Sequence, residues 1–253
     1  MFQELPKLSD RYQAAKDAGF RYVECTFPYD EPVEVLKAAK EKAGVEQVLI
    51  NSWPGDQSQG QLGLATLSSK QKEFCDKLEL TIDYAKALSC KKVHIMSGKH
   101  PKVPDKATEE TYLQNIEYAA NRLQQEDILG LIEAVNSKIS VPNYFLDNPS
   151  KAFEYVQKIN HPNLKMQFDI FHVQIMNGNL TANLKNWFPA IGHIQIAQAP
   201  DRGEPHSDGE INYGYIFKLL ESLQYDGFIG LEYKPTGRTT DGLTWIKQFG
   251  LQL

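Results

Sequence analysis

Cysteine is scarce in this chain: Cys25, Cys75 and Cys90 are the only three in 253 residues. Their number is odd and they stand in unrelated contexts, without the short spacings of a zinc site. A disulfide framework and a cysteine-based metal cluster are therefore excluded, and the thiols are expected to be reduced in a cytoplasmic protein. Long apolar runs are missing too; no stretch approaches the ~18 residues that a bilayer-spanning helix needs. Basic charge is in deficit, with 27 Lys and Arg against 32 Asp and Glu and a formal net charge of −5. That balance disfavours nucleic acid or an anionic membrane as partner, since both demand a basic face. The N-terminal segment has no charged start leading into an apolar stretch, so no secretory signal is read. Charge blocks, low-complexity tracts and linkers are also lacking. What is present is an ordinary globular composition, 42% hydrophobic and 23% charged, in a length that suits one large α/β barrel domain over residues 1–253.

Short apolar runs alternate with longer amphipathic stretches. Strands are expected at Arg21–Thr26, Gln47–Asn51, Lys92–Met96, Ile128–Ala134, Leu164–Asp169, Gly192–Ala197 and Phe228–Tyr233. They are mostly apolar on both faces, as strands covered by helices must be. Helices are expected at Leu5–Asp17, Val33–Lys42, Ser69–Leu88, Glu109–Gln125, Pro149–Ile159, Thr181–Trp187, Tyr213–Gln224 and Leu243–Gln248. Strict alternation implies a parallel sheet. A closed (β/α)8 barrel wants eight strands, and seven are found. The pattern thus leaves two architectures: an open doubly wound sheet, or a TIM-type barrel lacking its first strand.

Polar residues at the strand ends separate the two. Glu133, Asp169, Gln195 and Glu232 each follow an apolar run, about one strand–helix repeat apart. Four consecutive strands therefore present one oxygen-bearing side chain each at the same end of the sheet. An open sheet would string these side chains along a line; a barrel curves them together, and the end of a barrel is its catalytic face. Three carboxylates and an amide held together repel unless a cation lies among them, and hard oxygen donors suit Mg²⁺ or Mn²⁺. Taken singly, each acid could equally be a strand-end residue bonded to a loop amide; the matched positions of all four carry the signal.

His172, three residues beyond Asp169, is expected on the strand-to-helix loop within reach of a substrate. Arg202 lies on the loop after Gln195. His94 sits inside a strand, where it either lines the pocket or is a hydrogen-bonded core residue. His193 alternates with Gln195, so both side chains point the same way.

Several segments resemble the hydroxypyruvate isomerase family, within the xylose isomerase-like barrels. They are Asp169-Ile-Phe-His172, Gly178-Asn-Leu-Thr181, the run from Gly192 to Arg202, Gly209-Glu-Ile-Asn-Tyr213 and Glu232-Tyr-Lys-Pro235. The likeness extends upstream through Leu131-Ile-Glu133, Pro54-Gly-Asp56 and Phe27-Pro-Tyr29 to Phe2-Gln-Glu-Leu-Pro6. The resemblance implies interconversion of hydroxypyruvate and 2-hydroxy-3-oxopropanoate (tartronate semialdehyde), with Glu133 and Glu232 as the acid/base pair. It also implies a metal site of Glu133, Asp169, Gln195 and Glu232. His172, Arg202, Lys234 and His94 are then candidates for contact with a small hydroxy-carbonyl acid. Members of that family begin with a segment forming the first barrel strand, and this chain starts just after it, so a truncated or alternative product is expected. Two other readings follow: a ketose 3-epimerase or another sugar isomerase on the same barrel, and an inactive form acting by binding.

Overall fold

The computed structural model describes residues 1–100 and 104–252. Among the described residues seven strands, all parallel, lie in chain order in one sheet. They are β1 (Tyr22–Cys25), β2 (Glu46–Asn51), β3 (Lys92–His94), β4 (Leu129–Glu133), β5 (Leu164–Asp169), β6 (Ile191–Ile196) and β7 (Ile229–Leu231). Each falls where its apolar run predicts. Between and around them run α1 (Leu8–Asp17), α2 (Val33–Ala43), α3 (Gln71–Ala87), α4 (Lys106–Gln124), α5 (Pro149–Ile159), α6 (Ile170–Met176), α7 (Leu180–Trp187), α8 (Tyr213–Ser222) and α9 (Thr244–Gln248). The architecture is a nearly closed TIM-like α/β barrel of seven parallel strands.

Local chemistry sets the helix ends that matter for the site. The Asn148 side chain accepts from the amides of Ser150 and Lys151, and Pro149 starts α5. Asp169 closes β5 and at once caps α6, its carboxylate accepting from Phe171 N–H at 2.8 Å. No loop separates the two elements, which corrects the expectation for His172: it lies in the first turn of α6. At seven residues, α6 is too short to display helical periodicity.

Among the described residues β1 pairs through its backbone with β2 and β7 with β6, and side chains bridge the gap between β1 and β7. The rings of Tyr22 and Phe228 meet with centroids 4.6 Å apart. Glu24 reaches from β1 to His193 and Gln195 on β6. The N-terminal segment is tied to the loop after β7, with Phe2 N–H donating to Thr239 Oγ1 at 2.7 Å and Thr239 N–H to Glu4 at 3.0 Å.

The large apolar core lies between sheet and helices. Inside the barrel a smaller apolar cluster of Val48, Leu49 and Leu131, with Leu129 against it, forms a floor. Alternation along β4 then lifts Glu133 one layer above Leu131. Leu131→Ala is expected to destabilise the protein by roughly 2–5 kcal/mol, the usual range for a buried Leu truncation, because the polar layer above cannot collapse into the void. Urea unfolding measures it; a loss below half a kcal/mol would contradict the packed floor.

Candidate active site

The strand-end side chains gather on one cavity of about 700 Å³, lined by Glu133, Gln167, Gln195, Arg202, Glu232 and Lys234 among others, and continuing into the space between β1 and β7. Asp169 joins them through shared partners. One Arg202 Nη2 lies 2.9 Å from Glu232 Oε1 and 3.5 Å from Asp169 Oδ2. His172 Nε2 lies 3.5 Å from Asp169 Oδ2 and 3.9 Å from Glu133 Oε1, and His94 Nδ1 lies 3.3 Å from Glu133 Oε2. All four strand-end residues thus meet around the mouth of one barrel.

Burial and like charge raise the carboxylates' pKa values. Glu133 is pushed well above the usual carboxylate range, first by burial and then by Glu232 and Asp169, with Arg202 opposing. Glu232 rises to about 7 through desolvation in the cavity, Arg202 again opposing. Asp169 is raised by burial as well. Burial drives His94 down to about 3 and His172 well below its ordinary value, so both imidazoles are neutral at neutral pH. Shifts of this kind, in a cleft and with named partners, mark functional groups.

The donor set fits a divalent cation. Glu133 Oε1 and Asp169 Oδ2 are buried without a hydrogen-bond partner. One ligand atom each from Glu133, Asp169 and His172 can lie within 4.8 Å of one another. Two buried carboxylate oxygens without hydrogen-bond partners, beside a neutral imidazole, are what a Mg²⁺- or Mn²⁺-sized ion would satisfy. His172 therefore stands nearer the candidate metal ligands than the substrate role expected from sequence. Gln195 and Glu232 border the same space but are engaged elsewhere, Gln195 with Gln167 and Glu24, Glu232 with Arg202.

Arg202 holds an uncommon backbone conformation, φ +58°, and its guanidinium lies 5.1 Å over the Phe171 ring. Its carbonyl accepts from Lys234 N–H at 2.7 Å and its Nε donates to the Glu232 carbonyl, which fastens the loop after β6 to the end of β7. Buried Glu204 adds a second tie, accepting from Thr236 N–H and Oγ1, each at 2.8 Å. The Lys234 side chain is exposed at the rim. Two residues that sequence reasoning missed lie at the centre: Gln167, whose Nε2 donates to Glu133 at 2.9 Å and Gln195 at 2.6 Å, and Glu24. The signal for Gln167 was its alternation with Asp169 on β5.

These features set a pH expectation. Carboxyls with raised folded-state pKa values contribute stability that is full below their unfolded values and is lost as pH rises through the folded ones, about 7 for Glu232. His94 and His172, with lowered values, contribute stability that is full above the ordinary 6.5 and is lost as pH falls below it. The Tm of metal-free protein is therefore expected to fall as pH rises from about 6.5 through about 7, and Mg²⁺ or Mn²⁺ to restore it increasingly with pH. A metal-free Tm that stays flat across that range, or rises, would contradict the buried cluster.

Comparison with known proteins agrees with this geometry. The family model described as xylose isomerase-like TIM barrel matches residues 12–249. The chain is 49% identical over 254 residues to a Danio rerio protein named "Putative hydroxypyruvate isomerase", covering 98% of this chain and 92% of that one. It is 40% identical to the hydroxypyruvate isomerase of Escherichia coli (94% and 92% covered) and 40% identical to the 2-oxo-tetronate isomerase of Pectobacterium atrosepticum (98% and 94% covered). A crystal structure from Brucella melitensis, described as an AP endonuclease of family 2, superposes with a TM-score of 0.93 at 40% identity, covering 98% of this chain and 95% of that one. Fold and site together define an enzyme of the xylose isomerase-like barrel class. Within that class, the chain belongs to the hydroxypyruvate isomerase family.

Proposed function

We propose that this enzyme interconverts hydroxypyruvate and 2-hydroxy-3-oxopropanoate by a metal-assisted 1,2-proton transfer, with Glu133 and Glu232 as its acid/base pair. The observation that carries this reading is the placement of two pKa-raised glutamates from different strands on one cavity, tied together by Arg202 and Asp169. Moving a carbonyl between adjacent carbons requires a base to take a proton from the hydroxymethyl carbon and an acid to deliver one to the neighbouring carbon. The hydroxyl proton moves to the former carbonyl oxygen, and the species between is an enediolate. A glutamate that titrates near pH 7 serves both directions of such a transfer. Glu133 and Asp169 would hold the cation with Gln195 and Glu232, and His172 is placed to join them. A divalent cation bound there would polarise the substrate oxygens and stabilise the charge that develops on them. Arg202 and Lys234 would hold the substrate carboxylate, and His94 would line the wall beside Glu133.

A second substrate of the same class is favoured by the bacterial relatives named as 2-oxo-tetronate isomerases at 39–40% identity. Both are small hydroxy-carbonyl acids. The test incubates purified protein and Mn²⁺ with either acid in D₂O and follows product and deuterium at the migrating position by NMR. Turnover of hydroxypyruvate with solvent deuterium uptake is expected. Absence of both product and exchange with either acid would overturn the proposal, and turnover confined to the four-carbon acid would reassign the substrate.

A further inference from the structure

A chain of amides and carboxylates crosses the barrel and ends on Glu133. It begins at Glu24 on β1, whose Oε2 lies 2.7 Å from His193 Nε2 and whose Oε1 accepts from Gln195 Nε2 at 2.8 Å. The opposite end of the Gln195 amide, Oε1, accepts from Gln167 Nε2 at 2.6 Å. The same Gln167 Nε2 donates at 2.9 Å to Glu133 Oε2. Gln167, Gln195 and His193 are buried.

An amide side chain can be turned end for end at almost no change in shape, so only its partners fix which end is oxygen. A carboxylate offers acceptors alone. Facing Glu24, Gln195 must therefore present its NH₂ group, and its oxygen points toward Gln167 and the cluster. Gln167 must then turn its own NH₂ group toward both Gln195 and Glu133. Reversing Gln195 would set NH₂ against NH₂, or would force Gln167 to turn its oxygen on the Glu133 carboxylate. The carboxylates at the two ends, Glu24 and Glu133, set the same direction, and Glu24 is the one that touches Gln195.

The fold makes room for this. Gly230 on β7 stands beside Gln195 in the sheet register, and a Cβ there would overlap the Glu24 carboxylate before anything else. No positive φ is involved, so the space is needed for Glu24 and not for the backbone.

We propose that Glu24 is a positioning residue which holds the NH₂ end of the Gln195 amide, so that the Gln195 oxygen stays turned toward Gln167 and the carboxylate cluster. The proposal rests on the metal-assisted reading of the site. It is tested by Mn²⁺ binding to the metal-stripped protein without substrate, measured by calorimetry. Loss of an orienting partner behind a metal ligand costs ~10–100-fold in metal affinity, and Glu24→Gln is expected to fall in that range. A neutral amide at that position accepts at one end and donates at the other, so it no longer holds Gln195, and only Glu133, through Gln167, still orients it. Gly230→Ala, which displaces the carboxylate without changing charge, is expected to weaken binding in the same direction.

A double-mutant cycle separates orientation from charge. If Glu24 acts through Gln195, adding Glu24→Gln to Gln195→Ala has little further effect. An equal loss in both backgrounds would show Glu24 acting as a distant charge and would overturn the proposal. The side-chain NH₂ resonances of Gln195 and Gln167 supply a second readout that needs no metal. One set for each is expected in the parent protein, and doubled or broadened sets in Glu24→Gln; unchanged resonances would also overturn it. Absence of Mn²⁺ binding by the parent protein would refute the metal part of the proposed function and leave the resonances to decide the role of Glu24.

Discussion

Glu133→Gln is expected to lower kcat by about 10²–10⁴-fold, the contribution usual for a positioned acid or base, while leaving the fold intact. The two side chains are nearly isosteric, and the carbonyl of the amide can still accept from Gln167, so the hydrogen bond across β4 and β5 survives. Stability is expected to move the other way. Glu133 is 5% exposed, and burial with two neighbouring carboxylates opposes its ionisation. A neutral amide removes that repulsion, so metal-free Glu133→Gln at about pH 8 is expected to melt at or above the parent temperature. Loss of solvent deuterium exchange together with an unlowered Tm would place Glu133 in the chemistry and outside the scaffold. A variant that retains parental kcat would remove Glu133 from the acid/base pair.

Arg202→Leu is the second large effect. The guanidinium is 18% exposed and lies between Glu232 and Asp169, stacked over Phe171. Removing one member of a buried ion cluster leaves the remaining charges uncompensated, at a cost of about 3–5 kcal/mol. That loss is expected in metal-free protein as pH rises through about 7, where Glu232 ionises, and to shrink below it, where Glu232 takes up a proton. Arg202 now opposes the rise of the Glu232 pKa, so the Glu232 limb of the pH–rate profile is expected to move above about 7. If Arg202 also holds the substrate carboxylate, KM for hydroxypyruvate rises as well. An unchanged KM would remove that share of its role, and an unmoved pH limb would remove its coupling to Glu232.

Much of this site was legible because a parallel barrel writes part of its geometry into the chain. Each strand is a short apolar run bounded by helix-forming sequence, and a polar residue at the end of such a run stands out. Glu133, Asp169 and Gln195 were visible for that reason, and Glu232, one residue beyond β7, equally so. Gln167 was not, because a polar residue within a strand reads as the exposed half of an alternation until the barrel shows its inner face to be polar. Glu24 was hidden in the same way at mid-strand on β1. His172 was placed on a loop because Asp169 performs two tasks at once, ending β5 and capping α6, and a seven-residue helix is too short to show a period.

The order and direction of the strands, the helices that cover them and the identity of the strand-end acids were fixed by the sequence, since each depends on residues within one repeat of each other. Tertiary structure alone decided which of those acids share a cation, which way the buried amides face, and that Arg202 turns back onto Glu232 and Asp169. Those contacts join residues far apart along the chain, some across most of the barrel's length in sequence, as with Glu24 and Gln195. Their energies depend on distance and desolvation, and neither exists until the sheet has curved.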